Sequence, residues 1–124
     1  MQFDKNIPIY IQIEDFIKEK IFHLIWTAQA RIPSVRELAE VLEVNPNTVM
    51  RAYDSLEKET IIFNQRGIGF FVSDDAVALI KNNRTHKFFT QLPHFFKTMD
   101  ELNIDVQDIQ VKWSEYVKTK IESK

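Results

Sequence analysis

P-S-V-R-E-L-A-E-V-L-E-V-N-P-N-T-V-M-R-A-Y-D-S-L-E-K-E-T-I-I-F-N-Q-R-G-I-G-F-F-V, residues 33 to 72, holds two short amphipathic segments followed by an aromatic-rich hairpin. Ser34 and Glu37 have capping-box spacing: the Ser34 hydroxyl accepts from the Glu37 N–H while the Glu37 carboxylate reaches back. Val35, Leu38, Ala39 and Leu42 then fall at i, i+3, i+4 and i+7, one buried helix face. Asn45 and Pro46 repeat the start signal as N-cap and first helical residue, and Val49, Ala52, Tyr53 and Leu56 repeat the stripe. Only Glu43, Val44 and Asn45 separate the two segments, so the helices cross steeply and the second keeps one outer face free. The default use of such a free helix is to enter the major groove of DNA.

Asn47, Arg51, Asp54 and Lys58 point away from the stripe, with Thr48 and Ser55 on one flank. Near a helix N-terminus, Asn pairs with adenine, Arg with guanine, and Thr meets phosphate or a thymine methyl, which places Asn47, Thr48 and Arg51 at the groove. Asp54 is expected to pair with Lys58 at i,i+4. A solvated polar face is the plain alternative. Arg36 stands in the first turn of its helix, where a cation opposes the helix dipole. Either it pairs with Glu40, or a phosphate lies across this N-terminus, held by Arg36 and Ser34. Ile61 to Asn64 and Phe70 to Val72 flank Q-R-G-I-G as a hairpin, and both glycines of the chain lie there. Gly67 and Gly69 allow a tight turn and close approach to another surface, with Arg66 as a minor-groove or phosphate contact or a solvated turn residue.

Before this stretch, Pro8 opens a helix whose apolar face is Ile9, Ile13, Phe16, Ile17, Ile21 and Leu24, running to about residue 25. Tyr10 beside that face packs in the core or reaches a phosphate. Residues 26 to 32 connect, pinned by Trp26 and Ile32. After the hairpin, Ser73-Asp74 has the makings of a cap. A long helix is expected from Asp75 to Leu102, kinked near Leu92 by Pro93, then Asn103 as a left-handed residue, Asp105 as N-cap and a last helix. That last helix carries Val106, Ile109, Trp113, Tyr116, Val117 and Ile121. Phe88, Phe89, Phe95 and Phe96, with Leu92, Met99, Trp113 and Tyr116, are more apolar surface than two helices hide alone, and the expected cover is a second subunit.

The 124 residues suit a winged helix-turn-helix over 1–74 and a two-helix dimerisation tail over 75–124, mainly α with a small β-hairpin. With no cysteine, disulfides and thiolate metal sites are excluded. His23, His86 and His94 lack a ligand set at metal spacing, and no phosphate loop or nucleophile motif occurs, so no enzyme, metal or cofactor is expected. No signal peptide or membrane span is legible, and a cytoplasmic location is expected. Net charge argues mildly against nucleic acid: residues 1 to 74 carry 8 Lys+Arg against 11 Asp+Glu, net −3, and 75 to 124 carry 8 against 7, net +1. DNA binding therefore requires the basic side chains to gather on one face and predicts modest affinity per subunit.

P-I-Y-I-Q-I, I-P-S-V-R-E-L-A, V-N-P-N-T-V-M-R-A-Y-D-S-L-E and R-G-I-G-F-F-V resemble the GntR family of bacterial transcription regulators, closest to its short YtrA-type branch, densely over residues 8 to 73. The tail matches in plan only. The resemblance implies a dimerising tail too small for a ligand pocket, so no dedicated small-molecule site is expected, and a regulator that represses its own operon, often one encoding a transporter. Three positions that are glycine in the family pattern are Leu24, Gln29 and Thr60 here, so the connection is expected to be reshaped or stiffer and the second helix to lengthen or the wing to shift. Met50 stands where many members carry arginine, and Arg51 follows. The leading reading is a homodimeric, sequence-specific repressor on a palindromic double-stranded operator. The alternative is a winged-helix protein-interaction module, which would not be retained on heparin or random duplex at low salt.

Overall fold

Ile13, Ile17 and Ile21 are fully buried on one face of the helix that opens the fold, and the rest of the first unit is built on them. The computed structural model describes residues 1–123. Its elements are α1 (Ile9–Phe22), α2 (Val35–Leu42), α3 (Pro46–Lys58), β1 (Ile62–Gln65), β2 (Gly69–Val72), α4 (Ala76–Glu101) and α5 (Val106–Glu122). One compact unit is Met1–Arg84, and a second begins at Thr85. The fold is mainly helical with one antiparallel hairpin, a winged helix-turn-helix followed by a helical region.

In the first unit α3 packs on both α1 and α2. Its four stripe residues Val49, Ala52, Tyr53 and Leu56 are all fully buried, as the periodicity predicts. Leu38, Ala39 and Leu42 of α2 are buried with them. Each large aliphatic so buried stabilises the fold by about 1.5–3 kcal/mol. The α1 stripe is shorter than its sequence period: Ile9 and Leu24 are exposed, and the helix stops at Phe22 rather than near residue 25. Ala76 and Ile80 join the same core, so the first turns of α4 belong to this unit.

The hairpin pairs Ile62 with Val72 and Gln65 with Gly69. An isolated two-stranded hairpin is marginal in water. Here the connection supplies a third partner: Arg31 bridges Phe71, Ile32 N–H donates to Phe70 O at 2.9 Å, and Val72 N–H donates to Ala30 O at 3.0 Å. Gln29 Nε2 donates to Asp74 Oδ1 at 2.7 Å, so that carboxylate holds the connection.

Helices α1 to α4 end the same way. After α1, Leu24 N–H donates to Ile21 O and Ile25 N–H to Lys20 O; after α3, Thr60 N–H donates to Glu57 O and Ile61 N–H to Leu56 O. Val44 N–H to Ala39 O and Ile104 N–H to Met99 O close α2 and α4. These are Schellman motifs, which require a left-handed residue at the turn, usually glycine. The residues there are Leu24 (φ 61), Glu43 (φ 56), Thr60 (φ 61) and Asn103 (φ 55). Gln29 is left-handed as well, at φ 67. The replaced glycines thus did not lengthen α3, which stops at Lys58; the backbone keeps the left-handed turn despite the Cβ. In each motif the residue after the turn is apolar (Ile25, Val44, Ile61, Ile104), as a Schellman closure favours.

In the second unit α4 runs unbroken through Pro93, which removes one helical hydrogen bond, to the Phe89 carbonyl. Asp105 and Asp108 form a reciprocal capping box at the start of α5. No residue of α5 is buried. Among the described residues, no helix is long and apolar enough to cross a membrane.

A left-handed leucine costs about 1–2 kcal/mol against right-handed backbone, partly offset by the lower unfolded-state entropy relative to glycine. Leu24→Gly, at a side chain 63% exposed, is therefore expected to raise stability by about 0.5–1 kcal/mol in urea titration. An unchanged or lowered midpoint would show that the turn carries no strain.

Candidate nucleic-acid interface

The N-terminus of α2 is set by its capping box: Glu37 N–H donates to Ser34 Oγ at 3.1 Å, and Ser34 N–H donates to Glu37 Oε1 at 3.3 Å. Hydrogen bonds from Ser34, side chain first and then backbone, hold the Glu37 carboxyl below its ordinary pKa, with the Arg31 charge a lesser cause. Oγ acts as acceptor in the cap, so its own O–H remains to donate outward. Arg36 is exposed on the next position. Of the two readings, the pair with Glu40 is not formed, and no described residue makes an ion pair with Arg36.

Asn45 caps α3 through its side chain, which accepts from Asn47 N–H at 2.8 Å. That leaves the Asn47 side chain exposed at the helix start. Asn47, Thr48 and Arg51 line one open hollow with Pro8, Ile9 and Tyr10, so the first turns of α1 and α3 meet there. The Arg51 guanidinium lies 3.9 Å from the Tyr10 ring centroid. Tyr10 also packs against the core cluster, so it borders both the core and the hollow. Asp54 and Lys58 are exposed and unpaired with each other, contrary to the i,i+4 expectation. An exposed helix pair is worth only about 0.3–0.5 kcal/mol, too little to fix two long side chains.

At the wing, Ile68 N–H donates to Gln65 O at 2.9 Å and closes a turn with Gly67 in its third position at φ 80. That is a conformation glycine takes without a Cβ clash. Arg66 projects from the same turn, exposed and without an ion pair. Gly69 also has a positive φ, 141, which L side chains rarely adopt, and a Cβ there would lie 2.9 Å from the Arg31 Nε. Nothing local in the sequence marks Arg31, because its neighbour Gly69 is 38 residues away.

Tyr53 joins these parts. Its hydroxyl donates to Pro33 O at 2.6 Å, beside the α2 cap, and its ring meets Phe70 of β2 edge-on at 4.9 Å. Asn64 N–H donates to Glu57 Oε2 at 3.2 Å and ties β1 to α3 as well. Burial pushes the Tyr53 hydroxyl well above the ordinary phenol range, with the Glu37 charge a smaller cause.

The basic groups separate into two kinds. Lys18 pairs with Glu59 at 3.3 Å and Arg84 with Glu19 at 2.7 Å. Arg31, Arg36, Arg51 and Arg66 make no ion pair among the described residues. Two cations of the first unit are thus taken up by its own carboxylates, Arg31 stands near Glu37 without a direct pair, and Arg36, Arg51 and Arg66 stay uncompensated around the helix-turn-helix and wing. No group of histidine and carboxylate side chains among the described residues suits a metal ion.

Residues 9–72 match the gntR family of bacterial regulatory proteins. The chain belongs to the GntR family. As a GntR protein it is a DNA-binding transcription regulator, in a family of regulators rather than enzymes. It is 34% identical over 110 residues to the HTH-type transcriptional regulator YhcF of Bacillus subtilis (strain 168), covering 87% of this chain and 88% of YhcF. To the HTH-type transcriptional repressor YtrA of the same strain it is 45% identical over 71 residues, covering 57% of this chain and 55% of YtrA. A solved GntR-family transcriptional regulator from Bacteroides thetaiotaomicron superposes with a TM-score of 0.80 at 38% identity, over 90% of this chain and 98% of that one.

In this GntR chain the buried Tyr53 hydroxyl generates a pH-dependent expectation. Tyr53→Phe is expected to cost about 1–3 kcal/mol near neutral pH, because Pro33 O loses its donor. Unfolded tyrosine ionises near pH ~10 while the folded hydroxyl resists, so the wild-type advantage is present below pH ~10 and shrinks as pH rises above it. Urea titrations at neutral pH and above pH ~10 check this; a gap that stays constant would contradict it.

Proposed function

We propose that the chain is a homodimeric repressor that reads a palindromic operator, with one α3 in each half-site. The observation that carries this reading is the hollow of Asn47, Thr48 and Arg51 at the exposed start of α3, an arginine there lacking any ion pair. In this account Asn47, Thr48 and Arg51 meet base edges in the major groove, and Ser34 and Arg36 hold phosphate at the α2 N-terminus. Arg66 and Gly67 bring the wing turn onto the backbone or minor groove, with Arg31 a further cation beside Gly69. The name of the relative YtrA supports repression, and the family resemblance supports control of the chain's own operon, such as one encoding a transporter.

Residues 1–74 are the DNA-binding domain in this proposal, with Ala76 and Ile80 packed on its core, and the rest of residues 75–124 pairs two copies. Phe88, Phe89, Phe95 and Phe96 are each more than half exposed, as are Trp113 and Tyr116. Phe88, Leu92, Phe95, Phe96 and Met99 line an entirely apolar cleft of about 410 Å³ with Val106 and Ile109. Such a surface in water favours a second copy over a small molecule, because several large rings remain exposed outside the cleft walls. The protein is placed in the cytoplasm, where its operator is.

Arg36→Ala is expected to weaken binding to every duplex and flatten the slope of log K against log salt by about one unit. Fluorescence anisotropy across a salt series measures it, and an unchanged slope removes the phosphate role. Asn47→Ala is expected to relax preference at one base pair, costing about 1–3 kcal/mol of discrimination; uniform weakening across all sequences would contradict base contact. Phe95→Asp is expected to sediment as a monomer, and a persistent dimer would place the interface elsewhere.

A further inference from the structure

Tyr10 lies on α1, outside the helix-turn-helix, yet its ring carries the Arg51 guanidinium at 3.9 Å from the centroid. We infer that Tyr10 is a positioning residue for base reading by Arg51, a role that rests on the assignment of α3 to the major groove. The separation is well inside the ~6 Å limit for an arginine on an aromatic face. A guanidinium so placed covers the ring and keeps the donors of its outer edge for another partner, the geometry a bidentate contact to guanine needs.

Three observations favour this over an incidental contact. Among the described residues Arg51 makes no ion pair or hydrogen bond through its guanidinium, so the ring is what holds it. The ring is itself held, packed on the core cluster on a helix whose Ile13 and Ile17 are fully buried. Asn47 and Thr48 line the same hollow, so the platform parks Arg51 beside the other groups assigned to base edges. A long side chain with many rotamers is thereby ordered before DNA arrives, and less ordering remains to oppose binding.

Two substitutions separate the ring face from the hydroxyl. Tyr10→Phe keeps the face, whereas Tyr10→Leu keeps apolar bulk without it. In the free protein, the Arg51 Nε–H proton is expected to show an upfield ring-current shift in wild type and Tyr10→Phe that is lost in Tyr10→Leu. A random-coil shift in wild type overturns the inference whether or not Tyr10→Leu folds. On the duplex that wild type prefers, Tyr10→Leu is expected to lose ~3- to 10-fold in affinity, concentrated at the base pair identified by Arg51→Ala, while Tyr10→Phe binds as wild type. Adding Tyr10→Leu to Arg51→Ala is expected to change nothing further.

Equal damage from Tyr10→Phe would assign the effect to a hydroxyl–phosphate contact and overturn the inference. So would a Tyr10→Leu protein with unaltered base preference, or an equal loss in the Arg51→Ala background. If wild type discriminates among no duplexes, base reading by α3 fails and this inference with it. If wild type discriminates and Tyr10→Leu does so equally, only the inference fails.

Discussion

A buried phenol must find an acceptor, and the Tyr53 hydroxyl finds the Pro33 carbonyl at 2.6 Å. That bond ties the middle of α3 to the residue immediately before the α2 cap. The same ring meets Phe70 of β2, so a single side chain joins the crossing of the two helices to the wing. Because Tyr53 and its stripe are fully buried, the opposite face of α3 has no choice but to point outward. The exposure of Asn47 and Arg51 is thus a consequence of packing on the other side of the helix.

The helix ends show what the fold spends on sharp turns. Four Schellman closures are made without glycine, at Leu24, Glu43, Thr60 and Asn103, while both glycines sit in the wing. For Leu24 and Thr60, both exposed, the left-handed conformation is unfavourable, and the burial of Ile21 and Ile61 close by in the chain offsets it. At the wing the angles are more extreme: Gly67 turns at φ 80 and Gly69 at φ 141, where a Cβ would also lie 2.9 Å from Arg31. Glycine is kept in the wing at the two largest positive φ angles among the described residues, 80 and 141, while the left-handed residues near φ 55–67 are not glycine.

Electrostatics sets a limit on what one copy does. The first 74 residues are net −3, so long-range attraction to a polyanion is absent and contacts depend on a few uncompensated arginines at short range. Such a surface binds modestly as a single unit, and linking two units raises apparent affinity without new contacts. The exposed aromatic face of α4 and α5 fits that need. In the proposed reading, the acidic DNA-binding unit and the apolar tail answer one requirement, that two copies act together.

Much of this was legible locally. The Ser34–Glu37 box, the Asn45–Pro46 start, both buried stripes, the hairpin and the Asp105 cap are all short-range patterns, and each lies where its spacing put it. What escaped was long-range or tertiary. Arg31 beside Gly69 and Arg51 over Tyr10 are contacts between distant residues with no periodic trace. The left-handed Leu24, Gln29 and Thr60 arise because tertiary packing overrides residue preference, and the missing Arg36–Glu40 and Asp54–Lys58 pairs because surface pairs are weak. Selection of bound sequences from a random duplex pool tests the central claim most directly. The account predicts enrichment of a pseudo-palindrome whose half-sites lie about 34–36 Å apart or a multiple of that. Recovery of no preferred sequence, or of one unrepeated site, would contradict it.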